Sequence, residues 1–288
     1  MNNLDFTAFS YVAPIGQLLT FIEKESNDLT KYIENWDTQI KLSIAKINEI
    51  EKQIDLKEKE LREKKNIDSK RYSAEVNALK LQLNELRIRY KQVKTQVIED
   101  GLAITKKLQE IRENEISAVK NTYNLTSQQI KSFETDPSQG TKPTQIKLSG
   151  IKFSQNIADY ILPLTELEIW HFNLLSEINA MIPTWNKKVE YISNRDKEIN
   201  LQTEPLKAKL ESYKSDSKLY KSEISSLKKQ ISAKEKERKQ LANQMESDAK
   251  ELADFFKQSR NEVQLIIEER YTDVINNISY SYQEKLKL

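Results

Sequence analysis

The chain contains Ser69-Lys70-Arg71-Tyr72-Ser73-Ala74-Glu75-Val76-Asn77-Ala78-Leu79-Lys80-Leu81-Gln82-Leu83 and, 148 positions later, a second copy, Ser217-Lys218-Leu219-Tyr220-Lys221-Ser222-Glu223-Ile224-Ser225-Ser226-Leu227-Lys228-Lys229-Gln230-Ile231. This offset is about half of the 288 residues, and Trp36 is matched by Trp185 at nearly the same distance. A unit is commonly reused because it buries its apolar stripe against its copy. The sequence therefore predicts an internal duplication, with helical repeat 1 at residues 1–145 and helical repeat 2 at residues 146–288.

The composition favours long helices over a mixed fold. Charged residues make up 31% of the chain and apolar residues 38%, while there are only four glycines and six prolines. A Lys/Glu/Leu/Ile-rich sequence that is poor in turn residues is typical of long amphipathic helices. The 46 basic and 44 acidic residues are interleaved, which argues against an extended nucleic-acid-binding surface. We therefore predict an all-α protein for which nucleic acid is not an expected partner.

Apolar residues recur every seven positions in both halves. A repeat of seven held over several turns indicates a left-handed coiled-coil seam. The seam in repeat 1 is Ile33, Ile40, Ile47, Ile54 and Leu61, with Trp36 at the second seam position, and the seam in repeat 2 is Trp185, Ile192, Ile199, Leu206 and Leu227.

The seam slips by one residue near residues 64–68. Such an insertion is either absorbed within a continuous helix or marks a hairpin turn. The second half crosses the equivalent point without a slip, and neither region contains Gly or Pro, so we predict continuity. Repeat 1 is then dominated by one long helix, about 17–133, in which Gly101 permits a bend.

Prolines and glycines punctuate the rest of the chain. Two of each fall within residues 134–150, which predicts a loop between the repeats. Pro163, Pro183 and Pro205 predict that repeat 2 contains short helices, about 156–182 and 184–203, before a long helix, about 205–282. The expected architecture is an elongated antiparallel coiled-coil hairpin, widened into a small bundle by apolar clusters at residues 5–22 and 151–183.

No residue pattern indicates catalysis. The chain lacks a Gly-rich phosphate loop, a His-Glu-x-x-His motif and a Gly-x-Ser-x-Gly motif. It also lacks cysteine, which excludes thiolate catalysis and disulfides. The single histidine, His171, lies between Trp170 and Phe172 and is interpreted as a packing residue. We expect no catalytic residue, no metal site and no cofactor, and hence no enzyme.

The segment at residues 157–182 has two interpretations. It is either the core of a terminal bundle or an amphipathic element that lies in a membrane interface, since Trp, Phe and Leu suit that boundary. Trp170 has no matched tryptophan in repeat 1. The candidates for contact with a partner or a membrane are Ile161, Leu162, Leu164, Trp170 and Phe172.

Two functions fit these features. The first is a non-catalytic assembly protein, a scaffold, adaptor or oligomer subunit that binds a protein partner or copies of itself. No cleaved signal peptide is expected at the N-terminus, so we expect the chain in the cytoplasm, or released without such a signal.

The second function rests on a resemblance. The long proline-free helix 17–133, the absence of cysteine, the missing signal peptide and the apolar segment at 157–182 are similar to the α-helical pore-forming toxins of the cytolysin A-like and xenorhabdolysin-like classes. The chain departs from that pattern because it has no strongly apolar tongue. The resemblance implies a soluble subunit of a multi-component toxin, which depends on another component to insert into a membrane.

Overall fold

Each half of the chain folds into one strand followed by a hairpin of two long helices. The structure is a computed structural model that describes residues 4–9, 13–68, 70–135 and 143–287, with side chains over 13–68, 70–129 and 148–286. Repeat 1 comprises β1 (Leu4–Phe9), α1 (Ala13–Asp68) and α2 (Ser73–Thr135). Repeat 2 comprises β2 (Pro143–Leu148), a short 3₁₀ helix (Gln155–Ile157), α3 (Ala158–Lys214) and α4 (Lys221–Lys287). The predicted all-α hairpin fold and the duplication are confirmed, although each repeat forms a hairpin of its own and the two repeats do not together form a single one.

The predicted continuity of the long helix in repeat 1 is wrong. α1 ends at Asp68, whose carboxylate accepts the backbone N–H groups of Lys70 at 3.0 Å and Arg71 at 3.1 Å. The one-residue slip in the seam therefore marks a hairpin turn. The second repeat turns at the matching place, between Lys214 and Lys221, where the rings of Tyr213 and Tyr220 stack with centroids 4.4 Å apart.

The predicted breaks at proline in repeat 2 are also wrong, because α3 continues through Pro163, Pro183 and Pro205. Proline inside a helix costs about 3 kcal/mol, partly because its missing N–H leaves the carbonyl four residues earlier unpaired. For Pro163 that carbonyl belongs to Asp159, and the side-chain amide of Asn277 donates to it at 3.3 Å. This contact compensates for Pro163. The short helices predicted at 156–182 and 184–203, and the first residues of the long helix predicted at 205–282, instead form the single helix α3, which ends at Lys214.

Part of the predicted loop and part of the first apolar cluster form a two-stranded antiparallel ribbon. β1 pairs with β2 in a register that places Leu4 opposite Leu148 and Phe9 opposite Pro143. Residues 136–142 of the predicted loop and residues 10–12 of the apolar cluster lie outside the described residues. The ribbon is formed by the N-terminal strands of the two repeats. Both repeats therefore have the same order of elements, a strand followed by two long helices.

The two hairpins pack through α2 and α4, which run antiparallel. Tyr282 lies against Gly101, Tyr271 bonds Glu115, and Phe256 contacts Tyr123 at a centroid distance of 6.3 Å. Residue numbers therefore rise along α2 as they fall along α4. This is the arrangement that an approximate twofold axis produces, and the axis passes near the fully buried Val119 and its counterpart Ile267.

The antiparallel packing gives the molecule a central bundle and two opposed arms. The main core cluster ends at Ile47 and Tyr90 in the first hairpin, and at Val189 and Met245 in the second. We call residues 48–89 arm 1 and residues 190–244 arm 2. Each arm turn is about 49 residues from the axis, or roughly 73 Å at 1.5 Å per residue, which places the two turns about 145 Å apart.

Each arm keeps a short seam of its own. The buried apolar residues within the arms are Val76, Leu79, Leu83, Ile199, Leu227 and Ile231. Of the predicted seam, Ile33, Trp36, Ile40, Ile47 and Trp185 are buried in the bundle, Ile199 and Leu227 are buried in arm 2, and Ile54, Leu61, Ile192 and Leu206 are half-buried. Ion pairs cross between the helices beside the seam, from Arg87 to Glu58 at 2.7 Å and from Arg195 to Glu237 at 2.6 Å. The Arg195 guanidinium lowers the pKa of the Glu237 carboxyl.

Gly101 allows the close approach of α2 and α4. A Cβ atom at this position would lie 2.7 Å from two ring carbons of Tyr282. In an open helix, Gly→Ala stabilises by about 1 kcal/mol, whereas overpacking a core costs about 1–3 kcal/mol. We therefore expect Gly101→Ala to lower the free energy of unfolding by about 1 kcal/mol, measured by urea denaturation.

The counterpart of Gly101 in repeat 2 is Ala249, which already carries a Cβ. The control for Gly101→Ala is removal of the ring that its new Cβ would meet. Removing the Tyr282 ring by Tyr282→Ala should reverse the sign, so that Gly101→Ala stabilises in that background. A stabilising Gly101→Ala in the wild-type chain would contradict the clash.

Candidate functional site

The structure separates the five contact candidates predicted from the sequence. Ile161 and Leu164 are buried in the main core, and Trp170 packs partly buried against it. Phe172 is half-buried, whereas Leu162 is 56% exposed. A partner or a bilayer can therefore reach Ile161 and Leu164 only if the bundle opens. None of the helices over the described residues has an apolar stretch that could cross a bilayer.

The bundle contains a buried polar pair that is not among the residues predicted from the sequence. The Tyr271 hydroxyl on α4 donates to Oε1 of Glu115 on α2 at 2.6 Å, and both residues are fully buried. Burial raises the pKa of the Glu115 carboxyl to about 8, an effect that the Tyr271 hydrogen bond opposes and the nearby Glu25 carboxylate reinforces. The Glu115 carboxyl is therefore mostly protonated at neutral pH.

Ser26 on α1 and His171 on α3 extend this polar layer to all four helices. Ser26 lies close enough to Tyr271 to affect its pKa. Both Ser26 and His171 line a cavity of about 20 Å³, and Ser26 Oγ and His171 Nε2 have no hydrogen-bond partner among the described residues. A cavity of this size holds one water molecule. Burial lowers the pKa of His171 to about 3, so the imidazole is neutral.

The approximate twofold axis shows that this polar layer is asymmetric. Tyr123 is the counterpart of Tyr271, and Val263 is the counterpart of Glu115, each at an offset of 148. Tyr123 is buried and its hydroxyl has no hydrogen-bond partner within the described part of the chain. Repeat 1 thus contributes a carboxyl to the bundle where repeat 2 contributes a valine.

An extended segment after β2 is fixed to α1 by a row of polar side chains. Glu23 accepts the Ser149 N–H at 2.8 Å, Asn27 accepts the Lys152 N–H at 2.7 Å, and Glu34 accepts the Ser154 N–H at 2.8 Å. Thr30 donates to the Lys152 carbonyl at 2.9 Å. These residues lie on one face of α1, and their counterparts on α3 are Phe172, Ser176, Asn179 and Pro183. The repeats have diverged here as well.

A surface groove lies between α3 and α4 where arm 2 leaves the bundle. It has a volume of about 910 Å³, and its apolar residues are Ala180, Met181, Trp185, Leu252 and Phe255. Its charged residues are Glu177, Lys188, Asp248, Lys250, Glu251 and Asp254, a net charge of −2 from four carboxylates and two lysines. Asp248 is paired with Lys188 at 3.2 Å, whereas Glu251 and Asp254 are exposed.

The groove differs in chemistry from the matching surface of repeat 1. The counterparts of Ala180, Asp254 and Phe255 are Lys31, Lys106 and Lys107, at offsets of 149, 148 and 148. Three basic positions in one repeat are therefore apolar or acidic in the other. The groove with an acidic rim and an apolar floor belongs to repeat 2.

Comparisons of the chain with protein-family models, with curated proteins and with solved structures find no match. Function must therefore be inferred from the geometry of this chain. Among the side chains that the structure describes, no three His, Asp or Glu residues come together as a metal site would require. The features available for function are the opposed arms, the polar layer and the groove.

One signal in the sequence points to the polar layer. Ile104, Leu108, Ile111 and Val119 continue a helical apolar stripe along α2, and Glu115 occupies the position in that stripe between Ile111 and Val119. A carboxylate in an apolar stripe is expected to be paired or protonated. The groove had no comparable signal, because it depends on which faces of α3 and α4 remain uncovered.

Proposed function

We propose that this chain is a non-catalytic assembly protein that joins partners, or copies of itself, through the opposed arms of a stiff rod. The observation that carries the proposal is the antiparallel packing of α2 against α4, marked by the pairs Gly101–Tyr282 and Glu115–Tyr271. That packing directs two arms away from one bundle, with their turns at similar distances from the axis. A rod of this kind suits a spacer or a repeating subunit better than it suits a reaction centre.

The surface of the arms supports the same proposal. Ion pairs such as Arg238–Asp196 at 2.7 Å link the helices of arm 2 across its exposed face. Exposed ion pairs contribute little to stability, at about 0–1 kcal/mol each, but several along one arm favour a single register. Fixed register gives the arm a defined shape that a partner can recognise.

The test combines shape with association. Small-angle scattering of the full-length chain is expected to give a maximum dimension of about 150 Å at 1.5 Å rise per residue. Sedimentation velocity over a wide concentration range is expected to show self-association, or a stoichiometric complex with a purified product of a neighbouring gene. A chain that remains monomeric throughout and forms no such complex would contradict the proposal.

The alternative function is a soluble subunit of a multi-component, α-helical pore-forming toxin. The observation that favours it is the exposure of Leu162 and Ile169, at 56% and 53%, one above the other on α3. Their counterparts in repeat 1 are Ala13 and Thr20. Under this function the chain, alone or with a partner component, releases dye from liposomes, and Leu162→Ser with Ile169→Ser reduces that release. No release in either setting, with helicity intact, removes this alternative.

A further inference from the structure

The turn of arm 1 has a charge and an exposed apolar side chain that complement the groove of repeat 2. Residues 64–71 contain Lys64, Lys65, Lys70 and Arg71 against one acidic residue, Asp68, a net charge of +3. Ile67 projects from this turn with 71% of its surface exposed. The groove has a net charge of −2 and an apolar floor. We propose that the turn of arm 1 of one copy binds the groove of repeat 2 in a second copy.

The turn of arm 1 is preorganised for such a contact. The Asp68 carboxylate holds the N–H groups of Lys70 and Arg71, and Lys64 pairs with Glu75 across the turn. The Tyr72 ring lies beneath Lys64 and Arg71, at 5.3 Å and 5.7 Å from its centroid. Ordering a flexible loop on binding costs affinity, and these contacts of residues 64–68 and 70–72 reduce that cost.

The turn of arm 1 is expected to bind the groove in preference to the equivalent surface of repeat 1. Glu251 and Asp254 are exposed and line the groove together with Met181 and Phe255, so a basic turn finds charge complementarity there and Ile67 finds apolar surface. Repeat 1 has Lys106 and Lys107 at the positions of Asp254 and Phe255, and these lysines repel the same turn. Arm 2 carries a smaller net charge of +2 in its own turn, from Lys214, Lys218 and Lys221 against Asp216.

The contact is heterologous, because the two surfaces that meet are different. A heterologous contact that does not close produces an open chain of copies. The turn of arm 1 is roughly 73 Å from the twofold axis, and the groove is roughly 22 Å beyond it on the other side, at 1.5 Å per residue. Successive copies are therefore displaced by at most about 95 Å along the rod. This inference rests on the proposed assembly function and specifies its surface.

The test uses charge exchange in the full-length chain. Lys65→Glu with Lys70→Glu reverses the net charge of the turn of arm 1, and Glu251→Lys with Asp254→Lys reverses the net charge of the groove. Each pair of substitutions is expected to weaken self-association by at least about tenfold in low salt, as repulsion replaces attraction. Combining all four is expected to restore it, and high salt is expected to weaken wild-type association because the contact is exposed.

The turn of arm 2 supplies the matched control. Lys218→Glu with Lys221→Glu makes the same charge change there and is expected to leave association unchanged in sedimentation velocity. Negative-stain images of wild-type chains should show open linear assemblies of more than two copies. Circular dichroism verifies that every variant keeps its helicity.

Several results would overturn this contact. Closed dimers that depend on Lys218 and Lys221 would show that the turn of arm 2 occupies the groove. Binding of only a basic helix from a different protein would show that the occupant is not a second copy of this chain. Association that persists in both exchanged variants, or is not restored by the combination, would reject the contact while leaving the assembly function standing. A chain that is monomeric at all concentrations would also reject the contact. The assembly function would then be tested separately, by whether the chain forms a complex with a purified product of a neighbouring gene.

Discussion

Between about pH 5.5 and about pH 9, the free energy of unfolding is expected to fall by about 2 kcal/mol, because the titration of Glu115 removes about 3 kcal/mol and that of His171 restores about 1 kcal/mol. Burial raises the pKa of this carboxyl from 4.5 to about 8 in the folded state. The unfolded chain loses its proton at the lower pKa while the folded chain retains it. The stabilisation is therefore complete below the unfolded pKa, declines as pH rises, and is lost above the folded pKa.

The groups around Glu115 fix the sign of this dependence. Tyr271 donates a hydrogen bond that lowers the pKa of the carboxyl, and Glu25 adds a negative charge that raises it, but desolvation is the largest effect. Glu115→Gln keeps the shape and an acceptor for Tyr271 and removes the titration. We expect urea denaturation of this variant to give a much flatter alkaline profile.

The exposed Glu110 on the same helix provides the control. Glu110→Gln should keep the full alkaline dependence of the wild-type chain. A wild-type stability that is constant from about pH 5 to about pH 9, or a Glu115→Gln variant that keeps the slope, would contradict a buried protonated carboxyl.

On the acid side of the same profile, the free energy of unfolding is expected to fall as pH decreases. Burial lowers the pKa of His171 from 6.5 to about 3, so the unfolded chain binds a proton that the folded chain excludes. Stability from this residue is present above the unfolded pKa and is lost as pH falls towards the folded one. Together, Glu115 and His171 place the stability maximum near pH 5.5, roughly midway between the two unfolded pKa values.

The apolar periodicity predicted the helical class and the pairing of antiparallel helices, because a repeat of seven requires a facing seam. It did not predict where the helices turn. Asp68 ends α1 through two backbone hydrogen bonds, yet in the sequence it resembles any other exposed acidic residue. The second hairpin turns without a slip in the seam, so the comparison of the repeats favoured continuity incorrectly.

The features that the sequence could not predict depend on distant partners. β1 pairs with a strand about 140 residues away, and no local pattern identifies such a partner. Pro163 is tolerated because Asn277 satisfies the carbonyl that it leaves free, which is a property of packing between helices. The groove exists only because α3 and α4 leave those faces uncovered. By contrast, Glu115 could have been found, since it stands within an apolar stripe.

The counterpart tyrosines provide the sharpest test of the asymmetric polar layer. Tyr271→Phe removes the hydrogen bond to Glu115 and leaves a buried carboxyl oxygen without its donor, which costs about 1–3 kcal/mol. Tyr123→Phe removes a buried hydroxyl that has no partner among the described residues, so it is expected to be neutral or stabilising by about 1 kcal/mol. The two variants make the same chemical change on either side of the twofold axis.

Urea denaturation at about pH 6, where Glu115 is protonated in the folded state, should separate the two variants by roughly 1–4 kcal/mol. Glu115→Gln with Tyr271→Phe completes a double-mutant cycle, and its coupling should be absent when Tyr123→Phe replaces Tyr271→Phe. Equal effects of the two tyrosine substitutions would show that Glu115 and Tyr271 do not act as a pair. The divergence of the repeats would then be a difference in composition alone, without an energetic consequence at the centre of the bundle.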